Sequence, residues 1–241
     1  VVGHRHQGMI TMAGRPPEVD HVKKTFFKEI QAAEDLVAKI LQFKGGINPV
    51  GTVGIHPKHV RQVVELAFMG VVASWEEFLE MALVRYVAGA KTGTGYRPTP
   101  KFGRATSIEH AYQVLSNNPK FNPRKDYLKV TDPNWVTSQA DFLFSAHGFG
   151  NVKIKGPLLG HASSIRNRVA HSSEKCRADF KATAIHFLMP ATGALKQGYG
   201  PGDLLVTPVS RHFGQPAIQS QSTHFSAFAE LYKSLADTIV P

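Results

Sequence analysis

Residues 60–86, VRQVVELAFMGVVASWEEFLEMALVRY, hold the longest hydrophobic repeat in the chain. Their apolar side chains recur at spacings of three and four residues, which places them on one face of an α-helix. Pro57 suits the first turn of this helix, because the N–H that proline lacks has no partner there. We therefore predict a long helix that forms the spine of a bundle. Its apolar positions are Val60, Val63, Val64, Ala67, Phe68, Val71, Trp75, Phe78, Ala82 and Tyr86.

Further helices are predicted on both sides of this spine. A similar repeat predicts a helix from about residue 20 to 43, with Asp20 as its N-cap. Asp132 and Pro133 predict the start of another helix, and Ser222 predicts the start of the last one. The repeats that define these helices are Val22, Phe26, Ile30, Ala33, Val37 and Ile40; Trp135, Val136, Ala140 and Leu143; Phe180, Ala184 and Phe187; Phe225, Phe228, Leu231, Leu235 and Ile239. The predicted fold class is all-α.

The composition is that of a basic globular protein. Of 241 residues, 42% are hydrophobic, which is ample for a packed core. Lysine and arginine number 28 against 18 acidic residues, and the formal charge of +10 favours a polyanionic partner such as RNA, DNA or acidic lipid. The single cysteine, Cys176, cannot form an internal disulfide or a cysteine-based zinc site, so we expect a cytoplasmic protein. No apolar run is long enough to span a bilayer, and we expect no membrane partner.

The domain organisation follows from where the helical pattern stops. We predict a single helical domain over residues 20–241, interrupted by an insertion at about residues 89–130. Residues 1–19 predict a disordered tail or a remnant of cloning, and they lack the apolar stretch of a secretion signal. Between residues 191 and 221, only Leu204-Leu205-Val206 indicates a short strand.

The insertion is strongly basic. Between Arg85 and Lys129, nine lysines and arginines accompany only two acids. Four aromatic residues interleave with these charges: Tyr96, Phe102, Phe121 and Tyr127. Such a composition is used where cations follow a nucleic-acid backbone and bases stack on rings, although a solvated loop whose aromatic residues anchor it to the core is an open alternative.

Several familiar catalytic patterns are missing. Residues 91–95, KTGTG, place the lysine before the glycines, which is not the order of a P-loop. No nucleophile elbow of the form G-x-S-x-G occurs, so we do not expect an acyl-transfer hydrolase. His56 and His59 have no third ligand at a recognisable spacing. We accordingly predict no metal and no cofactor.

Residues 166–171, RNRVAH, are the strongest candidate site. A histidine can take and return protons near neutral pH, and an arginine can hold two phosphate oxygens. On a regular helix, however, Arg166 and His171 lie roughly 140° apart at about 100° per residue. Either the helix ends near Ala170 and frees His171, or a second copy of the segment completes the site across a two-fold axis. A plain helix surface ending in a histidine that interacts with the helix dipole is the alternative.

The run Ser164 to Ser172 resembles the signature of the HEPN superfamily, an arginine and a histidine separated by four to six residues and often written R-N-x-x-x-H. Residues 73–80, ASWEEFLE, are similar to the helix that supplies an acidic or polar residue to the same pocket in that superfamily. The resemblance covers about residues 20–190 and implies a HEPN-like helical bundle that works as a two-fold dimer.

The resemblance also implies an activity. HEPN proteins include metal-independent endoribonucleases of toxin–antitoxin and antiviral defence systems, which cleave RNA through attack by its 2′-OH. The expected catalytic residues are Arg166, His171, Asn167, which would orient the imidazole, and Glu77, with Glu76 and Glu80 as rivals. The residues expected to bind RNA are Arg168, Lys101, Arg104, Arg124 and Lys125. A non-catalytic module that binds RNA or protein, or a toxin held inactive by a cognate antitoxin or another regulatory protein, remains the alternative.

Overall fold

A computed structural model describes residues 18–43 and 55–241. The described part is mostly α-helical, as predicted, with one small sheet. Its elements are α1 (Asp20–Gln42), α2 (Pro57–Val87), β1 (Thr99–Pro100), α3 (Ile108–Ser116), α4 (Pro133–Leu143), β2 (Phe144–Ala146), α5 (Gly150–Ile154), α6 (Gly156–Ala170), α7 (Glu174–Leu188), α8 (Pro201–Val206), α9 (Gln215–Gln219) and α10 (His224–Ile239). Within these ranges, no helix is both long enough and apolar enough to cross a bilayer.

The predicted spine is helix α2, and its N-cap is His56, whose side chain accepts a hydrogen bond from the N–H of Lys58. Helices α1, α3, α4, α6, α8 and α10 all pack against it. Because it has neighbours on several sides, adjacent residues such as Phe78 and Leu79 are both buried. The single predicted stripe therefore covers only part of its buried surface.

Helix α1 lies antiparallel to α2 and is fixed at its first turn. Asp20 was predicted to be the N-cap, but it is the first helical residue, and the N-cap is Val19. Its carboxylate accepts a hydrogen bond from the N–H of Gly93, 2.8 Å away, just beyond the end of α2. The backbone of Glu18 forms an isolated parallel β-bridge with Lys91, and the side chain of Val19 is fully buried. Residues 18 and 19 therefore belong to the fold and not to the predicted tail. Residues 1–17 lie outside the described ranges.

The basic insertion folds back onto the bundle. Strand β1 pairs antiparallel with β2, and α3 packs on α2. The Phe121 ring lies on Tyr112, with centroids 5.6 Å apart, and the Tyr112 hydroxyl donates to Glu80 at 2.8 Å. Phe121 is buried, as expected of an anchoring residue. Phe102 and Tyr127, however, are 58% and 91% exposed, so the aromatic residues of the insertion divide into anchors and surface rings.

Residues 201–206 form helix α8, so the predicted strand at Leu204 to Val206 is wrong. Pro201 occupies the first turn, and the Asp203 carboxylate accepts a hydrogen bond from the N–H of Gly200 at 2.9 Å, which favours a helix start. Glu65 of α2 accepts from the N–H of Gly202 at 2.8 Å and ties α8 to the spine.

Within the described residues, four histidines contact the buried ring of Phe187, and they belong to α6, α7, the segment before α10 and the start of α10. The rings of His161, His186 and His212 form a stack, with centroids 4.4 Å and 4.2 Å apart. Burial is the largest cause that lowers the pKa of His161 and His224, and neighbouring imidazoles lower it further. Protonation therefore opposes this packing.

The histidine cluster predicts acid-sensitive stability. The folded pKa values lie below the ordinary value of 6.5, so the folded state binds fewer protons. The stability that the neutral histidines contribute is complete above about pH 6.5, and it is lost as the pH falls below that value. We expect the melting temperature to drop between about pH 7.5 and 5.5, and to drop less in His161→Gln. His59→Gln, which alters an exposed histidine of α2, should retain the wild-type profile; identical profiles for all three proteins would contradict this account.

A second prediction concerns Gly148, which meets the end of α10. A Cβ at this position would overlap the carbonyl oxygen of Thr238 and lie 2.8 Å from the Cα of Ile239. We expect Gly148→Ala to destabilise the protein by about 1–3 kcal/mol or more, measured by urea denaturation. Gly150→Ala is the matched control, because no heavy atom lies within 4 Å of the added Cβ. Equal stability of the two variants would show that α10 does not dock tightly there.

Candidate functional site

Helix α6 carries the candidate motif and ends within it. The helix begins at Gly156, with Pro157 in its first turn, and its last residue is Ala170. His171 follows as the C-cap with an extended backbone, φ −135° and ψ 140°. Of the two geometries left open by the sequence, the helix end at Ala170 is the one observed. His171 is exposed and leaves the helical path there.

Arg166 is held by an ion pair between α6 and α2. Its Nη2 lies 2.6 Å from Oε1 of Glu76, and its Nη1 donates to Oδ1 of Asn167 at 3.1 Å. Both side chains of the ion pair are about three-quarters buried, with 26% and 22% exposed. Burial strengthens such a pair relative to one in water but requires that neither charge lose its partner. The guanidinium is therefore fixed in place.

The acid that contacts Arg166 is Glu76, so the choice of Glu77 is corrected. Glu77 is exposed and lies in the groove between α1 and α2, beside His21 and Glu29. Glu80 accepts a hydrogen bond from Tyr112 instead. The reason is angular, because consecutive helical residues point about 100° apart and only Glu76 shares the face of α2 that meets α6.

Asn167 supports the arginine rather than the imidazole. Its side-chain oxygen accepts from Arg166, and its backbone oxygen accepts from the N–H of His171 at 2.9 Å. The predicted orientation of the His171 ring by the Asn167 side chain is thus replaced by a contact to the guanidinium. Within the described residues, no side chain forms a hydrogen bond with the His171 ring, which leaves it open to a ligand.

Arg168 stabilises the helix end. Its Nη1 donates to the carbonyl oxygen of His171 at 3.2 Å, a contact typical of cations near helix C-termini. Burial raises the pKa of the Glu65 carboxyl, and the positive charge of the nearby Arg168 partly opposes this rise. Arg168 thus fixes the backbone of His171, a role distinct from the RNA contact predicted for it.

A narrow cleft adjoins the Arg166–Glu76 pair. Its lining includes Glu76, Val130, Ser163 and Tyr232, so the end of the basic insertion returns to the site. Tyr232 is fully buried, and burial is the main cause that raises its pKa, with a further contribution from Glu76. Because the Tyr232 phenol stays neutral, the charged groups beside this cleft are those of Glu76 and Arg166.

The other residues predicted to bind RNA fall in two places. Lys101 and Arg104 are exposed beyond the ends of α2 and α4, where the Arg104 side chain packs over Gly89. Arg124 and Lys125 are exposed in a turn after α3 that Asn122 stabilises by accepting from the N–H of Arg124 at 3.0 Å. The basic composition of the insertion singled out these four residues, but it did not indicate that they lie in two separate places.

Sequence reasoning missed one feature of the described residues, the histidine stack, and ranked Glu76 behind Glu77. The histidine stack joins residues far apart in the chain and gave no local signal. Glu76 did give a signal, because it interrupts a series of apolar residues, Val72, Leu79 and Leu83, at helical spacing. No three His, Cys, Asp or Glu side chains within residues 18–43 and 55–241 are placed to hold a metal ion.

No protein-family model, curated protein or solved structure matches the chain significantly. The likeness to the HEPN superfamily rests on the motif and on the helix that carries Glu76, and membership stays a prediction.

Proposed function

We propose that this protein is a metal-independent endoribonuclease that cleaves single-stranded RNA by attack of the 2′-OH on the adjacent phosphorus. The observation that carries the proposal is the fixed guanidinium of Arg166 beside the helix end that exposes His171. A permanent cation and a titratable ring, five residues apart and divided by a helix end, suit a reaction that moves protons around a phosphate.

The proposed reaction forms the bond between O2′ and phosphorus and breaks the bond between phosphorus and O5′. One proton leaves the 2′-OH, and one proton is added to the departing O5′. His171 transfers one of these protons, while Arg166 stabilises the charge that develops on the phosphorane oxygens. The products carry a 2′,3′-cyclic phosphate and a 5′-OH, and DNA is not a substrate because it lacks the nucleophile.

Homodimerisation belongs to the proposal. One imidazole serves as base or as acid in a single step, whereas two motifs related by a two-fold axis provide both groups together. The exposure of His171 is compatible with such a pairing. A cognate antitoxin or another regulatory protein would act by covering this surface.

We expect purified protein to cleave single-stranded RNA in EDTA and to leave 2′,3′-cyclic phosphate ends. His171→Ala should lower the rate by about 10²–10⁴-fold, as for a lost general acid or base. Arg166→Ala should lower it by about 10²–10³-fold, as for a lost group that stabilises developing charge. Gel assays with end-group analysis measure both effects.

Matched controls separate chemistry from general charge. His59→Ala and Arg177→Ala remove an exposed histidine and an exposed arginine from other helices and should retain wild-type rates. Cleavage that requires a divalent metal, or persists in His171→Ala, would exclude the mechanism. RNA that is bound but never cut would favour a non-catalytic RNA-binding module, for which the engagement of Arg166 by Glu76 and Asn167 is the supporting observation.

A further prediction tests the positioning role of Glu76. Glu76→Gln keeps the size of the side chain but removes the charge that holds Arg166. We expect kcat to fall about tenfold or more with little change in KM, because a misplaced guanidinium weakens transition-state contacts. Glu77→Gln, one residue away on the exposed side of α2, should match the wild type. Equal effects of the two substitutions would show that the ion pair does not position Arg166.

A further inference from the structure

Two phenylalanine rings lie exposed and in contact beyond the C-terminal end of α2. Phe102 and Phe142 are 58% and 62% exposed, and their centroids are 5.3 Å apart with the planes inclined by 40°. Large aromatic rings are more often buried, and contiguous exposed apolar surface marks binding sites. We call this pair the aromatic platform.

Backbone hydrogen bonds hold the platform rigidly. The N–H of Lys101 donates to the carbonyl of Leu143 at 2.9 Å, and the Lys101 ammonium donates to the carbonyl of Asp141 at 2.6 Å. The N–H of Ala105 donates to the carbonyl of Val87, the last residue of α2, at 3.1 Å. The segment with Phe102 is thus tied to both α4 and α2, and neither ring lies on a free loop.

The segment that carries Phe102 is positively charged. Residues 97–104 contain Arg97, Lys101 and Arg104 and no acid. Residues 133–147, which carry Phe142, contain one acid and no lysine or arginine. That acid is Asp141, whose carboxylate lies 2.9 Å from the His147 ring. Lysine is depleted at protein–protein interfaces, and a second copy of this basic surface would be repelled. Flat rings among cations instead match sites that stack bases and hold phosphates.

The platform lies within reach of the Arg166–Glu76 pair. Pro133 lines the cleft beside Glu76, and Phe142 is nine residues further along α4, about 14 Å at 1.5 Å per residue. Along α2, Glu76 and Val87 are separated by a similar length, about 17 Å. A stacked single strand rises about 3.4 Å per nucleotide, so a strand that covers either of these lengths has about four or five nucleotides.

We propose that Phe102 and Phe142 stack bases of the single-stranded RNA substrate several nucleotides from the scissile linkage. The assignment of RNA rests on the proposed function, whereas stacking requires only that the bases be unpaired. Lys101 neutralises a phosphate of the same strand. The platform therefore selects single strands over duplexes, whose bases are not free to stack.

The test measures binding without cleavage, using fluorescence anisotropy of a labelled oligodeoxyadenylate of about 12 nucleotides, which lacks the 2′-OH. Phe102→Ala and Phe142→Ala should each weaken binding about fivefold or more, and Phe142→Trp should retain it. Lys101→Met should reduce the slope of log affinity against log salt by about one, whereas the phenylalanine variants should keep the wild-type slope. A duplex of the same length should bind more weakly than the single strand.

Phe43→Ala is the matched control. Phe43 is 57% exposed, close to the values of the platform rings, and it follows the last turn of α1 at the opposite end of the bundle. This variant should bind within about twofold of wild type. Because all three phenylalanines are exposed, the melting curves of their alanine variants should coincide with that of the wild type. A loss of binding would then not be due to unfolding.

The outcomes separate the platform from the nuclease. Platform variants that bind the strand as wild type does, or lose no more affinity than Phe43→Ala, would overturn the inference, as would failure of the wild type to bind single strands. A change in sedimentation mass instead of affinity would identify an interface between copies and would also overturn it. Weakened binding in the platform variants without any RNA cleavage by the wild type would support the platform and refute the nuclease.

Discussion

The burial of helix α2 on several sides is the constraint on which the rest of the structure depends. A helix that places neighbouring residues such as Phe78 and Leu79 in the core must be enclosed by other elements, and in the described part of the chain six helices pack against it. Glu76 lies on this enclosed surface, facing α6. A carboxylate in that position needs a cation, and Arg166 provides it across the helix pair.

This ion pair links the fold to the candidate site. Packing α6 against α2 fixes the guanidinium of Arg166, and the end of α6 at Ala170 turns His171 outward. Arg168 holds the turned backbone through the carbonyl of His171. The motif is therefore divided between a partly buried, positioned cation and an exposed imidazole, an arrangement that follows from one helix length and one interhelical contact.

Local chemistry made much of the secondary structure predictable. Asp132 caps α4 as expected, since its carboxylate accepts from the N–H of Asn134 at 2.9 Å. The spine begins at Pro57, which was expected in its first turn, and ends one residue after Tyr86, the last position of the predicted stripe. The strand predicted at residues 204–206 was wrong because an apolar run of three residues fits a buried helix turn equally well, and Pro201 decides for the helix.

The sequence by itself determined the mostly helical class, the positions of the long helices, the basic charge of the insertion and the residue types of the motif. Each of these depends on neighbours within a few turns of the chain. Only the tertiary structure decided that Glu76 and not Glu77 meets Arg166, that four histidines enclose Phe187, and that Phe102 meets Phe142. Those contacts join segments far apart in sequence, and their geometry depends on how the helices rotate and cross, which a periodic pattern does not specify.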